Sequence, residues 1–92
     1  MRIRWTRPAA ADLTQISDYI EKHGSPAAAR RVALSICQRI GTLVEFPELG
    51  RTGRRSDTRE LVFNDLPYLA VYRVGKNAIE ILRILHGAQE WP

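Results

Sequence analysis

The chain has little of several things. Its 92 residues hold one cysteine, one methionine and only two lysines. A lone cysteine, Cys37, excludes an internal disulfide and supplies no metal-ligand spacing. It reads as a small buried hydrophobe on a helix, in a protein suited to a reducing cytoplasm. No apolar run approaches the ~20 residues that cross a bilayer. No charged opening followed by an apolar stretch marks a signal peptide. No membrane partner, metal or cofactor is therefore expected. Linkers, internal repeats and low-complexity segments are also missing, so residues 1–92 are expected to form one domain with a modest core.

Charge of one kind is abundant. The formal net charge is +4, and twelve of the fourteen basic residues are arginine. Arginine presents a planar fork of donors that matches carboxylates and phosphates. The excess points to an acidic partner, protein or nucleic acid. An arginine-rich source with a GC-rich genome gives the same excess.

Periodicity divides the chain. RIRW (Arg2–Trp5) alternates as a short strand. Thr6 and Pro8 then mark a helix start, and Ala9, Leu13, Ile16 and Ile20 share one face up to Gly24. Ser25 and Pro26 open a second helix, with a stripe through Ala29, Val32, Ala33, Ile36, Ile40 and Leu43, ending before Pro47. So short a link implies an antiparallel helical hairpin. PELGRTGRRSDT (Pro47–Thr58) reads as a loop. RELVFN (Arg59–Asn64), YLAVYRV (Tyr68–Val74) and AIEILRILH (Ala78–His86) read as three strands of an antiparallel meander.

A two-residue turn at Lys76–Asn77 sets a register. It places Arg73 opposite Glu80, Tyr72 opposite Ile81 and Val74 opposite Ile79. Continued without interruption, it sets Val71 against Leu82, Leu69 against Ile84, and Ala70 against Arg83. One sheet face then carries Leu69, Val71, Leu82 and Ile84. The other is apolar too, with Arg83 among its side chains. One helical hairpin covers one face, so the other is expected to be an exposed apolar patch that a partner covers; the alternative is that the Pro47–Thr58 loop and the tail, with Trp91 as lid, fold over it.

A strand, a helical hairpin and a meander in this order, with PAAADLTQISDYI, RELVF, PYLAVYRV and IEILRILHGAQEWP, resemble the RelE/ParE superfamily of toxins from bacterial type II toxin–antitoxin modules, the ParE-like branch in particular. The resemblance spans nearly the whole chain. It implies an α+β fold, β-α-α-β-β-β, with the hairpin on one face of a small, mainly antiparallel four-stranded sheet. It also implies a cognate antitoxin with an acidic C-terminal segment that covers apolar toxin surface. Operator DNA would be contacted only through that antitoxin. Candidate antitoxin contacts are Leu69, Val71, Leu82, Ile84, Arg30 and Arg31.

Two activities occur in that superfamily. RelE-like members cut mRNA on the ribosome without metal, using cations for the developing phosphate charge and a group that moves a proton. The middle-strand position that carries an arginine in those enzymes is Leu69 here, so the catalytic set is incomplete. The residues left for it are Arg59, Arg73, Arg83 and His86. ParE-like members inhibit DNA gyrase by a protein–protein contact that needs no catalytic set. Candidate target contacts are Arg51, Arg54, Arg55, Arg59, Arg83, His86 and Trp91. A stand-alone basic nucleic-acid-binding module is a third reading. More ordinary roles are open to several of these residues. Arg73 would pair with Glu80, and Arg83 would pack its stem while its head reaches a carboxylate.

Overall fold

The computed structural model describes residues 1–87 and 89. The elements run β1 (Arg2–Trp5), α1 (Arg7–His23), α2 (Pro26–Gly41), a 3-10 turn (Thr42–Val44), β2 (Arg51–Thr52), β3 (Arg59–Val62), β4 (Tyr68–Val74) and β5 (Ala78–His86). The two helices lie on a mixed five-stranded sheet ordered β1-β5-β4-β3-β2, in which β1 is parallel to β5 and the other pairs are antiparallel.

Both helices begin where their capping residues dictate. Thr6 Oγ1 accepts from Ala9 N–H at 3.2 Å, and Ser25 Oγ accepts from Ala28 N–H at 3.0 Å. Each cap satisfies an N–H that the helix leaves unpaired, an effect of about 1 kcal/mol. The Thr6 hydroxyl also lies 2.9 Å from the Ile81 carbonyl, which fixes the start of α1 against β5. The apolar stripes of the helices meet Ala70, Tyr72, Ile79, Ile81 and Ile84, with Ile36, Ile40 and Leu43 fully buried between the layers. Cys37 lies beside this stripe and is exposed, contrary to the buried position expected. The second helix also ends earlier than its stripe suggests. Leu43 reaches the core from the 3-10 turn instead.

The sheet differs from expectation in three respects. The Pro47–Thr58 segment contributes a fifth strand, the two residues of β2, which pair as Arg51↔Glu60 and Thr52↔Arg59. The third strand closes at Val62, not Asn64. The β4–β5 register holds from the turn as far as Tyr72↔Ile81, with Gly75 N–H donating to the Ala78 carbonyl at 2.8 Å. Beyond it a bulge intervenes, and the pairs become Val71↔Arg83, Ala70↔Ile84 and Leu69↔Leu85. Leu82 is the extra residue. A bulge reverses which side chains face each way. Ile84 therefore joins Ile81 under the helices, and Leu85 takes the opposite face.

That opposite face is not the exposed patch expected, because the chain covers it itself. Leu69, Val71 and Leu85 form a second cluster, 3%, 0% and 0% exposed, with Leu82 packed against it. The Gly53–Thr58 loop closes on itself through Gly53 N–H to the Thr58 carbonyl at 2.8 Å. Arg54 Nη1 donates to the Gln89 carbonyl at 3.1 Å and ties the loop to the end of the chain. A lone chain thus buries apolar side chains on both sides of its sheet. Each is stabilised by roughly 1.5–3 kcal/mol relative to exposure, without help from a partner.

Candidate functional site

The charged side chains fall into small, separate constellations. On the free edge of β5, beyond the end of β1, Asp12 of α1 receives Arg83 Nε at 2.6 Å and Arg83 Nη2 at 3.0 Å. The same carboxylate accepts the Ile84 N–H at 2.9 Å, an edge donor that would otherwise have no strand to bond. The Asp12 bond, more than the opposing loss of solvent, holds the Arg83 guanidinium above its usual range. Arg83 thus takes the ordinary role open to it, with its head on a carboxylate.

His86 ends the strand, exposed, with its ring edge-on to Tyr68 at 6.0 Å between centroids. Asp12, Tyr19, Tyr68, Arg83 and His86 line one cleft of about 460 Å³. Arg73 and Arg83 border a different one with Arg55 and Leu82. Arg59 borders neither but shares a third with Arg73. Its Nη1 donates to the carbonyls of Gly50 at 2.8 Å and Glu48 at 3.3 Å, which pins the segment leading into β2. The four residues left for RNA cleavage therefore meet in no single cleft, and three of them, Arg59, Arg73 and Arg83, are committed to structural bonds.

Two glutamates each gather a pair of arginines. Glu80 takes Arg73 Nη2 at 2.7 Å, as the sequence implied, and also bonds Arg4 of β1. The hydrogen bond and charge of Arg73, followed by the charge of Arg4, hold the Glu80 carboxyl below its ordinary range. Glu60 is 2% exposed, facing Val71 on the far side of the sheet. Its Oε1 accepts from Arg51 Nη2 at 2.9 Å, and its Oε2 lies 3.1 Å from Arg54 Nε. That second approach is an ion pair outside hydrogen-bond geometry.

Of the candidate antitoxin contacts, Arg30 and Arg31 are exposed on α2, Leu82 is half-buried, and Leu69, Val71 and Ile84 are buried. Trp91 lies outside the described residues. Among the large apolar side chains that do reach solvent are Tyr19 on α1, Leu34 on α2, Phe46 and Leu49, 59% and 56% exposed before β2, and Val62, 42% exposed on β3 opposite Leu69. Sequence reasoning missed Asp12, Glu60 and Arg4. The one signal for Glu60 is a charge in a short alternating strand, RELV, flanked by basic residues. Among the described residues no three His, Cys, Asp or Glu side chains cluster as metal ligands. No helix among them is long and apolar enough to cross a membrane.

A family model described as the ParE toxin of the type II toxin–antitoxin system parDE matches residues 3–91. The chain belongs to that family. It is 48% identical over 95 residues to a Sinorhizobium fredii protein named "Putative toxin Y4kP", covering 99% of this chain and 93% of that one. It is 42% identical over 88 residues to "Toxin RelE2" of Caulobacter vibrioides, covering 96% and 97%. Among solved structures, a chain of the chromosomal ParDE system from P. aeruginosa superposes with a TM-score of 0.84 at 34% identity, covering 91% of this chain and 92% of that one. This chain is thus a toxin of the ParDE type, a class that acts with a cognate antitoxin. Its two helices on a mixed sheet agree with the α+β fold expected, one strand richer.

Proposed function

We propose that the toxin acts by inhibiting DNA gyrase through a direct macromolecular contact and is not a ribosome-dependent ribonuclease. The observation that supports this reading is that no single cleft gathers Arg59, Arg73, Arg83 and His86. Phosphodiester cleavage without metal needs cationic donors and a proton carrier around one scissile phosphate. Here Arg59 is spent on two backbone carbonyls and Arg83 on Asp12, while His86 stands against Tyr68. Leu69, buried under the loop side of the sheet, offers neither charge nor proton. An inhibitory contact requires no such convergence.

The neutralising antitoxin, in this proposal, does not seat its apolar side chains on Leu69 and Val71, which the toxin already encloses. Phe46, Leu49, Val62 and Leu34 are available anchors, with Arg30 and Arg31 as further candidates for its acidic residues.

The deciding experiment is supercoiling of relaxed plasmid by purified gyrase with added toxin. Inhibition with accumulation of cleaved DNA is the expected result. Unchanged supercoiling at micromolar toxin, combined with new mRNA ends in primer extension from toxin-treated ribosomes, would reverse the assignment.

A further inference from the structure

The arginines are segregated. Strand alternation puts Ile3 and Trp5 of β1 under the helices and Arg2 and Arg4 on the far side. The same alternation, through Glu80↔Arg73 and Glu60↔Arg51, puts Arg73 and Arg51 on that far side. The loop that closes over it adds Arg54 and Arg55. All six are exposed, and the acids among them are Glu60, Glu80 and the loop residue Asp57. Three of the chain's four net positive charges therefore sit on one side of one sheet.

The two glutamates do not cancel this surface. Each is clamped between two guanidiniums, Arg4 and Arg73 on Glu80 and Arg51 and Arg54 on Glu60, so each unit carries one net positive charge with both arginine heads held in place. Glu60 is enclosed while its partners are 61% and 41% exposed. The carboxylates act as internal spacers between four arginines whose side chains are 41–61% exposed and carry more N–H donors than the glutamates take.

We propose that this face binds the phosphate backbone of double-stranded DNA. Three features favour duplex DNA over other acidic partners. A protein partner needs apolar anchors at the centre of its contact, and of the apolar residues of this face Leu69, Val71 and Leu85 are sealed beneath it, which leaves only Val62, at the end of β3, with a well-exposed side chain among the described residues. A single strand is gripped by stacking on exposed aromatic rings, and no described residue of this face is aromatic. Phosphate recognition needs neither; ordered cations on a polar surface suffice. The face is separate from the cleft that holds His86 and from Phe46 and Leu49, and shares only Val62 with the proposed antitoxin anchors. The proposal does not depend on gyrase being the target: DNA binding is measured without gyrase, and supercoiling without regard to which residues touch DNA.

Fluorescence anisotropy of a labelled 20-base-pair DNA duplex with the full chain, from roughly 50 to 300 mM salt, tests it. The expected result is binding whose affinity falls steeply with salt. The Arg4→Gln, Arg54→Gln double variant leaves Arg73 on Glu80 and Arg51 on Glu60, so the sheet keeps one clamp at each site. It should weaken binding about tenfold and lower the salt slope by about 2, with an unchanged circular dichroism spectrum. Lys22→Gln, on the exposed surface of α1, should change neither. The proposal is overturned by an affinity indifferent to salt, by a folded double variant that binds as the parent does, or by tighter binding to poly-glutamate or to a single strand than to the duplex.

Discussion

Asp12 and Arg83 stand 71 positions apart in sequence and meet in a two-pronged ion pair of 2.6 and 3.0 Å at the edge of the sheet. The relationship does more than neutralise charge. Because β1 stops opposite Ile81, the next stretch of β5 has no strand on that side, and the Asp12 carboxylate takes its place for the Ile84 N–H. Asp12→Ala removes both bonds and leaves a half-buried cation. The expected loss is about 2 kcal/mol, read from urea unfolding midpoints. Asp12→Asn, which can still accept from Ile84, should lose less. Equal stability of parent and Asp12→Ala would remove this carboxylate from the structural account.

Tyr72 anchors the approach to β2 in the same manner. Its hydroxyl donates to the Pro47 carbonyl at 2.7 Å and accepts the Gly50 N–H at 2.8 Å. Its ring is wholly buried, and that burial raises its pKa. Tyr72→Phe keeps the packing and orphans both backbone groups. A cost of about 1–3 kcal/mol follows, with faster hydrogen exchange at the Gly50 amide as the local signature.

Gly50 tests the same contact from the other side. A Cβ there would lie 2.6 Å from a ring carbon of Tyr72 and 2.9 Å from the Glu60 carbonyl, distances that real side chains do not reach. Gly50→Ala must displace either the ring or the β2–β3 pairing. The expected penalty is about 1–3 kcal/mol, visible as a lower thermal midpoint.

Antitoxin binding separates two accounts of the apolar surface. If exposed side chains anchor the partner, Phe46→Ser with Leu49→Ser should leave the fold intact and weaken the toxin–antitoxin complex by at least ~10-fold in calorimetric titration. Leu69→Ser should instead destabilise the free toxin, because it puts an unpaired hydroxyl into the second cluster. Intact affinity in the double variant would exclude these residues as anchors.

Much of this architecture is legible in the sequence, for reasons that also mark the limits. Thr6, Ser25 and the prolines after them specify helix starts by local chemistry alone. The Arg73–Glu80 pair fixes the β4–β5 register near its turn. The register is lost at Leu82 because strict alternation has no symbol for an inserted residue, and everything past the bulge changes face. That single residue moves Ile84 into the main core and Leu85 into the second. β2 is invisible for a different reason. Arg51–Thr52 has no apolar pattern, and its pairing is imposed by Glu60, Arg59 and Tyr72 from outside. Asp12 is a polar helix residue whose partner is fixed only by tertiary structure. The two arginine–glutamate clusters are likewise products of strand order, since Arg4 and Arg73 become neighbours only because β5 lies between β1 and β4.

Acid should loosen this arrangement in a predictable window. The Glu80 carboxyl is held below its ordinary value of 4.5, first by the hydrogen bond from Arg73 and then by Arg4. Asp65 is held below 3.8 by the hydrogen bond from Arg39. A carboxyl whose pKa is lower folded than unfolded contributes stability that is fully present above the unfolded value. It is lost as pH falls through the folded value. Stability set by these two groups is therefore constant near neutrality and declines below about pH 4.5. Glu80→Gln removes its share of that decline, so urea midpoints measured from roughly pH 2.5 to 6 should fall less steeply on the acid side than those of the parent. Parallel curves for the two proteins would mean that Arg4 and Arg73 do not hold the carboxylate in solution, and the ordered guanidiniums inferred for the far face would lose one of their two clamps.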